Sequence, residues 1–305
     1  MKTTQAPKSF FSRMKWNIWQ QAKNSLICPQ EPTLEGKLAL ITGGNNGIGL
    51  ETAKGLGHRK ADVIIAARNI EKTKSIAQQI AETSGRNIYP ESLDLSDLNN
   101  VVAFADALKQ KFENRTIDIC VANAGIWPSR YLTSKQGYEI AFAVNVLGHY
   151  VLIERLFKLG LLKTGRVVIV TGDIYTMAKD CTPDFQYSGR LGGQTAYCRS
   201  KLANLWLVHK LAKKYPQANI TAVHPGVIAT DLGGGGAGFK KLFLLEPYRG
   251  AQTSLYCASQ ADVVSGAYYH NTMGRVILPE DDSAMDLEKA QIMWEVLEKL
   301  AKDFI

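Results

Sequence analysis

From Gly36 onward, short apolar runs alternate with longer amphipathic stretches. Residues 37–42, Lys-Leu-Ala-Leu-Ile-Thr, are too short and too uniformly apolar for a surface helix and run into a glycine cluster, so they predict a buried strand. A helical pattern follows through His58. Residues 62–67 read as a second strand, and a charged helix is expected from about Ile70 to Ser84. Further apolar runs at 117–121, 166–170 and 219–223 are separated by helical sequence. Strand, helix, strand in repetition predicts crossover units, hence an α/β fold: a doubly wound parallel sheet with helices on both faces. No linker rich in Pro, Gly or Ser divides the span, so residues 35–305 read as one domain.

Two segments break the rhythm. Residues 173–195 are polar and turn-rich. Residues 231–247 carry Gly233-Gly234-Gly235-Gly236-Ala237-Gly238 and then an apolar run with two lysines, suited either to a lid over a greasy ligand or to a plain core helix. Loops at strand ends are where an α/β protein builds its site.

Residues 1–34 read as a basic amphipathic extension. Lys2, Lys8, Arg13, Lys15 and Lys23 precede the first acid, Glu31, and Phe11, Met14, Ile18 and Ala22 recur at helical spacing. The segment has no unbroken apolar stretch, which argues against a secretory signal or a spanning helix. Two readings stand: peripheral contact of residues 1–30 with an anionic membrane, at its inner face in a cytoplasmic protein, or a helix packed on the protein's own body. The chain's net charge is +8, from 36 basic and 28 acidic residues. Without a Lys/Arg run interleaved with aromatics, no nucleic-acid partner is expected; an anionic cofactor or membrane fits the balance better. The five cysteines form no pairing framework, which fits reduced thiols in the cytoplasm. The five histidines show no ligand spacing, so no metal is expected.

The chemistry starts at Thr42-Gly43-Gly44-Asn45-Asn46-Gly47-Ile48-Gly49, between the first strand and first helix. Glycines there permit a tight turn and close approach of backbone to phosphate, and the helix N-terminus faces a pyrophosphate with free N–H groups. The motifs that follow come in a recognisable order: Asn123-Ala124-Gly125 (with Ala122 before it), Asn145, Tyr197-Cys198-Arg199-Ser200-Lys201, then Pro225-Gly226-Val227 with Thr230 after. Together with the glycine turn they resemble the short-chain dehydrogenase/reductase family. Residues 196–204, 223–227 and 293–296 resemble its retinol dehydrogenase-like and WW-domain oxidoreductase-like branch. The resemblance spans roughly residues 36 to 300 and implies a Rossmann-type sheet, a nicotinamide cofactor, and a homodimer or homotetramer joined through helical faces. It places cofactor contacts at Gly43, Asn45, Asn46, Gly47, Ile48, Gly49, Asp94, Leu95, Asn123, Ala124, Gly125, Tyr197, Lys201, Pro225, Gly226, Val227 and Thr230. Where an acid at the end of the second strand would favour NAD, this chain has Ala67 and then Arg68, whose forked guanidinium suits a 2′-phosphate. The cofactor expected is NADP(H).

Tyr197 and Lys201 are four residues apart and share a helix face. A nearby ammonium lowers a phenol's pKa, so Tyr197 is expected to exchange a proton with the substrate oxygen. The resemblance gives Asn145 a water relaying protons through Lys201. It also places the family's catalytic serine at Gly172; Thr171 is the nearest substitute, with Tyr175 and Thr176 further along, although alternation along a strand can turn Thr171 away. His149 and His224 are expected to be packing residues, and Cys198 to have no role. The leading reading is NADP(H)-dependent interconversion of a lipophilic alcohol and its aldehyde or ketone. A cofactor-binding sensor with weakened catalysis and a double-bond reductase on the same fold are the alternatives.

Overall fold

A computed structural model describes residues 1–7, 9–178, 180–181, 192–228 and 245–305. In chain order the elements are β1 (Thr3–Gln5), α1 (Phe10–Asn24), β2 (Leu38–Thr42), α2 (Gly47–His58), β3 (Asp62–Ala67), α3 (Ile70–Ser84), β4 (Ile88–Ser92), α4 (Leu98–Lys111) and β5 (Ile119–Ala122). A short α5 (Ile140–Phe142) runs through a π-helical turn, Ala143–Leu147, into α6 (Gly148–Lys158). Then come β6 (Arg166–Val170), a 3-10 turn at Asp173–Met177, α7 (Gly192–Lys214), β7 (Asn219–His224), α8 (Pro247–Ser259), β8 (Tyr268–His270), β9 (Gly274–Ile277) and α9 (Leu287–Ala301).

The nine strands form one sheet in the order β1-β9-β8-β7-β6-β5-β2-β3-β4, parallel throughout except between β8 and β9. The five strands expected from the apolar runs form its centre, and their side chains alternate between two cores. Leu38, Leu40, Ile64, Cys120, Val167, Ile169 and Ile220 pack on the α4, α6 and α7 side. Ala39, Ile41, Val63, Ile65, Val121, Val168 and Val223 pack on the side holding α2 and α8. Burial on both faces is why these strands read as continuous apolar runs rather than alternating ones. β4 carries Pro90 and pairs only with β3, at the edge, where a missing N–H is tolerated.

The N-terminal segment is woven into this body. β1 pairs with β9 at the other sheet edge. In α1, which Ser9 caps by accepting from Ser12 N–H, Arg13 is only 1% exposed. It donates to the Pro7 carbonyl (2.7 Å), the Tyr175 hydroxyl and the Asp282 carboxylate. Gln21, one helix face with Arg13, holds Val227 by its backbone. Arg13 therefore does not belong with the exposed basic residues among which its sequence position had placed it. The side chains of Met14, Ile18 and Ala22, three members of the apolar spacing, lie outside the described residues. At the other end of the chain, α9 packs on α7, Trp294 meets Tyr150 edge-on at 5.2 Å, and Trp206 Nε1 donates to the Ser283 carbonyl (3.1 Å). Among the described residues, Ile140–Lys158 is the one helical segment long and apolar enough to cross a membrane, and 83% of it is buried inside the domain.

Candidate active site

At the carboxyl ends of the central strands lies a cleft of about 900 Å³. Its floor is the glycine turn, where Gly43 (φ 67°) and Gly47 (φ 51°) adopt left-handed conformations that a side chain would strain. Gly49 is required for another reason: a Cβ there would sit 2.2 Å from the Gly43 carbonyl oxygen. Gly43, Asn45, Asn46, Gly47, Ile48, Gly49, Arg68, Asp94, Leu95, Asn123, Ala124, Gly125, Tyr197, Lys201 and Pro225 all line the cleft, as does Thr171. Gly226 (φ 100°) and Val227, expected as cofactor contacts, follow Pro225 in the chain but are not among the residues that line the cleft. Thr230 and the run around Leu242 lie outside the described residues.

Several of these residues shape the cleft by holding one another. Thr42 Oγ1 accepts from the Asn123 and Ala124 N–H groups (both 3.0 Å), so its own proton is directed at His149 Nε2 (2.8 Å). The Asn123 side chain donates to the Thr42 carbonyl (2.9 Å), stapling the ends of β2 and β5 beneath the turn. His149 is fully buried and desolvation lowers its pKa to about 4, which keeps it neutral, the packing role expected for it. Asp94 is an Asx-type turn residue: its Oδ1 accepts from the Ser96 N–H and hydroxyl. Arg68, at the rim, has no ion pair or hydrogen bond among the described residues, and Lys72 from the first turn of α3 lines the same end. Sequence reasoning missed Lys72; its place one turn beyond Arg68 was the available signal.

At the inner end stand Tyr197 and Lys201, both on α7 and both buried. The Lys201 Nζ lies 5.4 Å from the centre of the Tyr197 ring and donates to the Val170 carbonyl (3.1 Å). Burial alone lowers Lys201 to about 8. Burial pushes the Tyr197 phenol well above its ordinary value, against the lowering expected from a neighbouring ammonium. Desolvation of the nearly buried ring dominates. The Tyr197 hydroxyl itself has no hydrogen-bond partner among the described residues.

Asn145 lies in the π-helical turn, a distortion that frequently marks functional sites. Its side chain is a clamp: Oδ1 accepts from Ile126 N–H (2.8 Å), and Nδ2 donates to the Ile126 carbonyl (3.0 Å) and to Ser200 Oγ (2.9 Å). Its carbonyl receives His149 Nδ1 at 3.4 Å.

The hydroxyls that could stand in for the serine are engaged. Thr171 Oγ1 donates to the Lys201 carbonyl (2.7 Å), Tyr175 to Asp282 (3.0 Å) and Thr176 to the Asp173 carbonyl (2.8 Å). Thr171 therefore lines the cleft with its proton turned into α7, the reversal that strand alternation allows. Gly172 is extended (φ −178°, ψ 150°), and a Cβ there would meet only His224 Nδ1, at 3.5 Å.

Behind Gly172 is a cluster whose composition resembles a metal site: Asp173, His224 and His270, all buried. Its hydrogen bonds give it a different character. His270 Nδ1 accepts from the Thr272 N–H (3.0 Å), so the ring's proton is on Nε2, facing Asp173 Oδ2 at 3.2 Å. Ligation through Nε2 would set a protonated Nδ1 against a backbone N–H. Tyr268 donates to the other Asp173 oxygen (2.6 Å), and His224 Nδ1 accepts from the Asp173 N–H (3.3 Å). The histidines and these hydrogen bonds hold the Asp173 carboxyl far below its ordinary pKa against the opposing effect of burial, while desolvation lowers His224 to about 3.

The short chain dehydrogenase sequence profile matches residues 37–235. Human retinol dehydrogenase 12 is 34% identical over 282 residues, covering 88% of each chain. Human retinol dehydrogenase 11 is 32% identical over 258 residues, covering 81% of this chain and 80% of its own. Among solved structures, an uncharacterized protein from Mycobacterium paratuberculosis superposes with a TM-score of 0.73 at 28% identity, over 93% of this chain and 97% of that one. A Burkholderia cenocepacia short chain dehydrogenase in complex with NADP does so with a TM-score of 0.65 at 25% identity, over 80% and 99%. With its glycine turn, its Tyr197–Lys201 pair and its nine-stranded sheet, the chain belongs to the short-chain dehydrogenase/reductase family of oxidoreductases, in the retinol dehydrogenase-like branch.

Proposed function

We propose that the protein is an NADP(H)-dependent oxidoreductase that interconverts a lipophilic alcohol and its aldehyde or ketone, with Tyr197 giving and taking the proton. One observation carries the reading: at the inner end of the cleft the Tyr197 hydroxyl is uncommitted, whereas those of Thr171, Tyr175 and Thr176 are each spent on another group. The residues fit a dinucleotide. Gly49 lets the first turn of α2 pack directly on the Gly43 carbonyl, and the α2 N-terminus would present its N–H groups to a pyrophosphate. Arg68 and Lys72 put two cations where a 2′-phosphate would lie, and the NADP complex of the Burkholderia relative is in keeping with this. When bound, the nicotinamide supplies or accepts the hydride. Lys201 would hold the ribose hydroxyls and bring positive charge to the phenol. The raised pKa keeps Tyr197 protonated at neutral pH, the form that donates to a carbonyl oxygen. Ile126, Val144 and Val170 give the inner cleft an apolar lining suited to a lipophilic substrate.

NADPH oxidation against a panel of aldehydes, ketones and enones tests the reading. Tyr197→Phe should abolish turnover and spare NADPH binding, and Lys201→Ala should damage both. Turnover of enones alone would identify a double-bond reductase. The second reading, a cofactor-binding sensor with weakened catalysis, draws on Gly172 and the three engaged hydroxyls. Tight NADPH binding with no turnover of any substrate would establish it.

We also propose that residues 1–30 touch an anionic membrane surface peripherally, at its cytoplasmic face. Phe11 (74% exposed), Lys15, Trp19 (73%) and Lys23 follow at four-residue steps along the outer face of α1, opposite Arg13 and Gln21. Replacing Phe11 and Trp19 by Ser should reduce co-sedimentation with anionic vesicles, and added salt should reduce it further. Unchanged binding would assign α1 to the fold alone.

A further inference from the structure

Trp127 is absorbed neither by the cofactor contacts nor by the proton-transfer pair, yet it lies flat on Tyr197. The two rings are 4.4 Å apart at their centres and within 5° of parallel. We propose that Trp127 is a positioning residue for Tyr197, fixing the plane of the phenol and keeping water from one of its faces; this rests on Tyr197 being the proton-transfer group.

The argument is in how the indole is held. On one side Ile126 is gripped at both its N–H and its carbonyl by the Asn145 side chain. On the other, the Pro128 carbonyl lies against Gly193, in the first turn of α7, so closely that a Cβ on Gly193 would fall 2.0 Å from its oxygen. Trp127 is thus fastened through its backbone at both neighbours, by the two elements that carry the catalytic groups. The same Asn145 amide donates to Ser200 Oγ, and Ser200 Oγ donates to the Tyr197 carbonyl (2.7 Å). One side chain therefore sets the indole's loop and the tyrosine's helical turn in register. Trp127 is half-buried and Tyr197 is 7% exposed, so the indole takes the solvent-facing side of the pair. A phenol shielded in this way holds its proton more tightly, because the phenolate has lost water contacts that nothing else replaces.

The test uses the full chain with Trp127→Ala and Trp127→Phe, assayed as NADP⁺-dependent oxidation of decanol and NADPH-dependent reduction of decanal across pH. Oxidation needs Tyr197 deprotonated, so its rate rises with pH through the Tyr197 midpoint. Trp127→Ala hydrates the phenolate and should move that midpoint down by about one pH unit. Trp127→Phe, which preserves the stack, should return it to the parent value. The same midpoint is read without turnover from the Cζ chemical shift of carbon-13-labelled tyrosine in the NADP⁺ complex, assigned by its loss in Tyr197→Phe. A midpoint that stays put in Trp127→Ala, or that moves equally in both variants, overturns the role of Trp127. Turnover that survives Tyr197→Phe overturns the proton-transfer reading itself.

Discussion

Arg13 joins the two ends of the chain, and its removal should be felt across the whole fold. Its guanidinium is 1% exposed and meets an Asp282 carboxylate that is 5% exposed, 2.5 Å away, with the Tyr175 hydroxyl bonded to both. Arg13→Ala strips the partner from a buried carboxylate, a change that costs about 3–5 kcal/mol, since the desolvation of Asp282 is no longer offset. At roughly 2 °C per kcal/mol for a domain this large, the melting temperature should fall by about 6–10 °C. Urea unfolding followed by circular dichroism measures the same loss. The double variant Arg13→Met with Asp282→Asn separates charge from packing. Asparagine keeps its one oxygen as the acceptor for the Ala284 N–H that Asp282 caps, turns its amide N–H toward the Tyr175 hydroxyl, which can accept, and leaves no orphaned charge. It should recover at least half of the loss. A cost below about 1 kcal/mol for Arg13→Ala, with the double variant no better, would refute the docking of α1 by a buried ion pair.

Gly172→Ser should fold normally, because the backbone there is extended and the added Cβ has only an ordinary contact with His224. If it supplies a missing donor to the substrate oxygen, turnover should rise by up to ~10²-fold; no gain, in a chain that remains folded, would mean the donor is already present. Acid should destabilise the fold between pH 6.5 and 4. His149 and His224 are lowered to about 4 and about 3 while their unfolded values stay near 6.5, so the unfolded chain binds more protons in that window. At pH 5 the expected loss is about 2 kcal/mol per histidine relative to neutral pH. Denaturant midpoints should show that slope, and His149→Gln should remove about half of it. Arg68→Ala should weaken NADPH binding far more than NADH binding in a fluorescence titration, and equal losses would put the 2′-phosphate elsewhere.

The central strands and the cofactor turn were legible because their determinants are local. Residues 38–42 carry their burial in their composition, and Gly43, Gly47 and Gly49 stand where only glycine fits. Long-range determinants were not legible. Arg13 looked like one cation in a basic stripe because Asp282, its partner, lies 269 residues on. β1 has no pattern of its own and exists because β9 offers an edge. Pro90 hid β4, since a proline argues against a strand unless the strand is known to be terminal. Thr171 was in the right place with its hydroxyl in the wrong direction, which spacing along a chain does not reveal. The Tyr197 phenol shows the same division: the lysine four residues on is read directly, whereas the burial that outweighs it depends on Trp127 and the rest of the packed site.

The placement of α9 reaches beyond packing. Resemblance to the family implied assembly through helical faces, and here the outward side of α7, with Tyr150 of α6, is already taken by the chain's own last helix. The support that a neighbouring subunit could have given to the tyrosine-bearing helix is supplied in cis, at an effective concentration that dilution does not change. The helix that carries Tyr197 therefore stays braced however scarce the protein is.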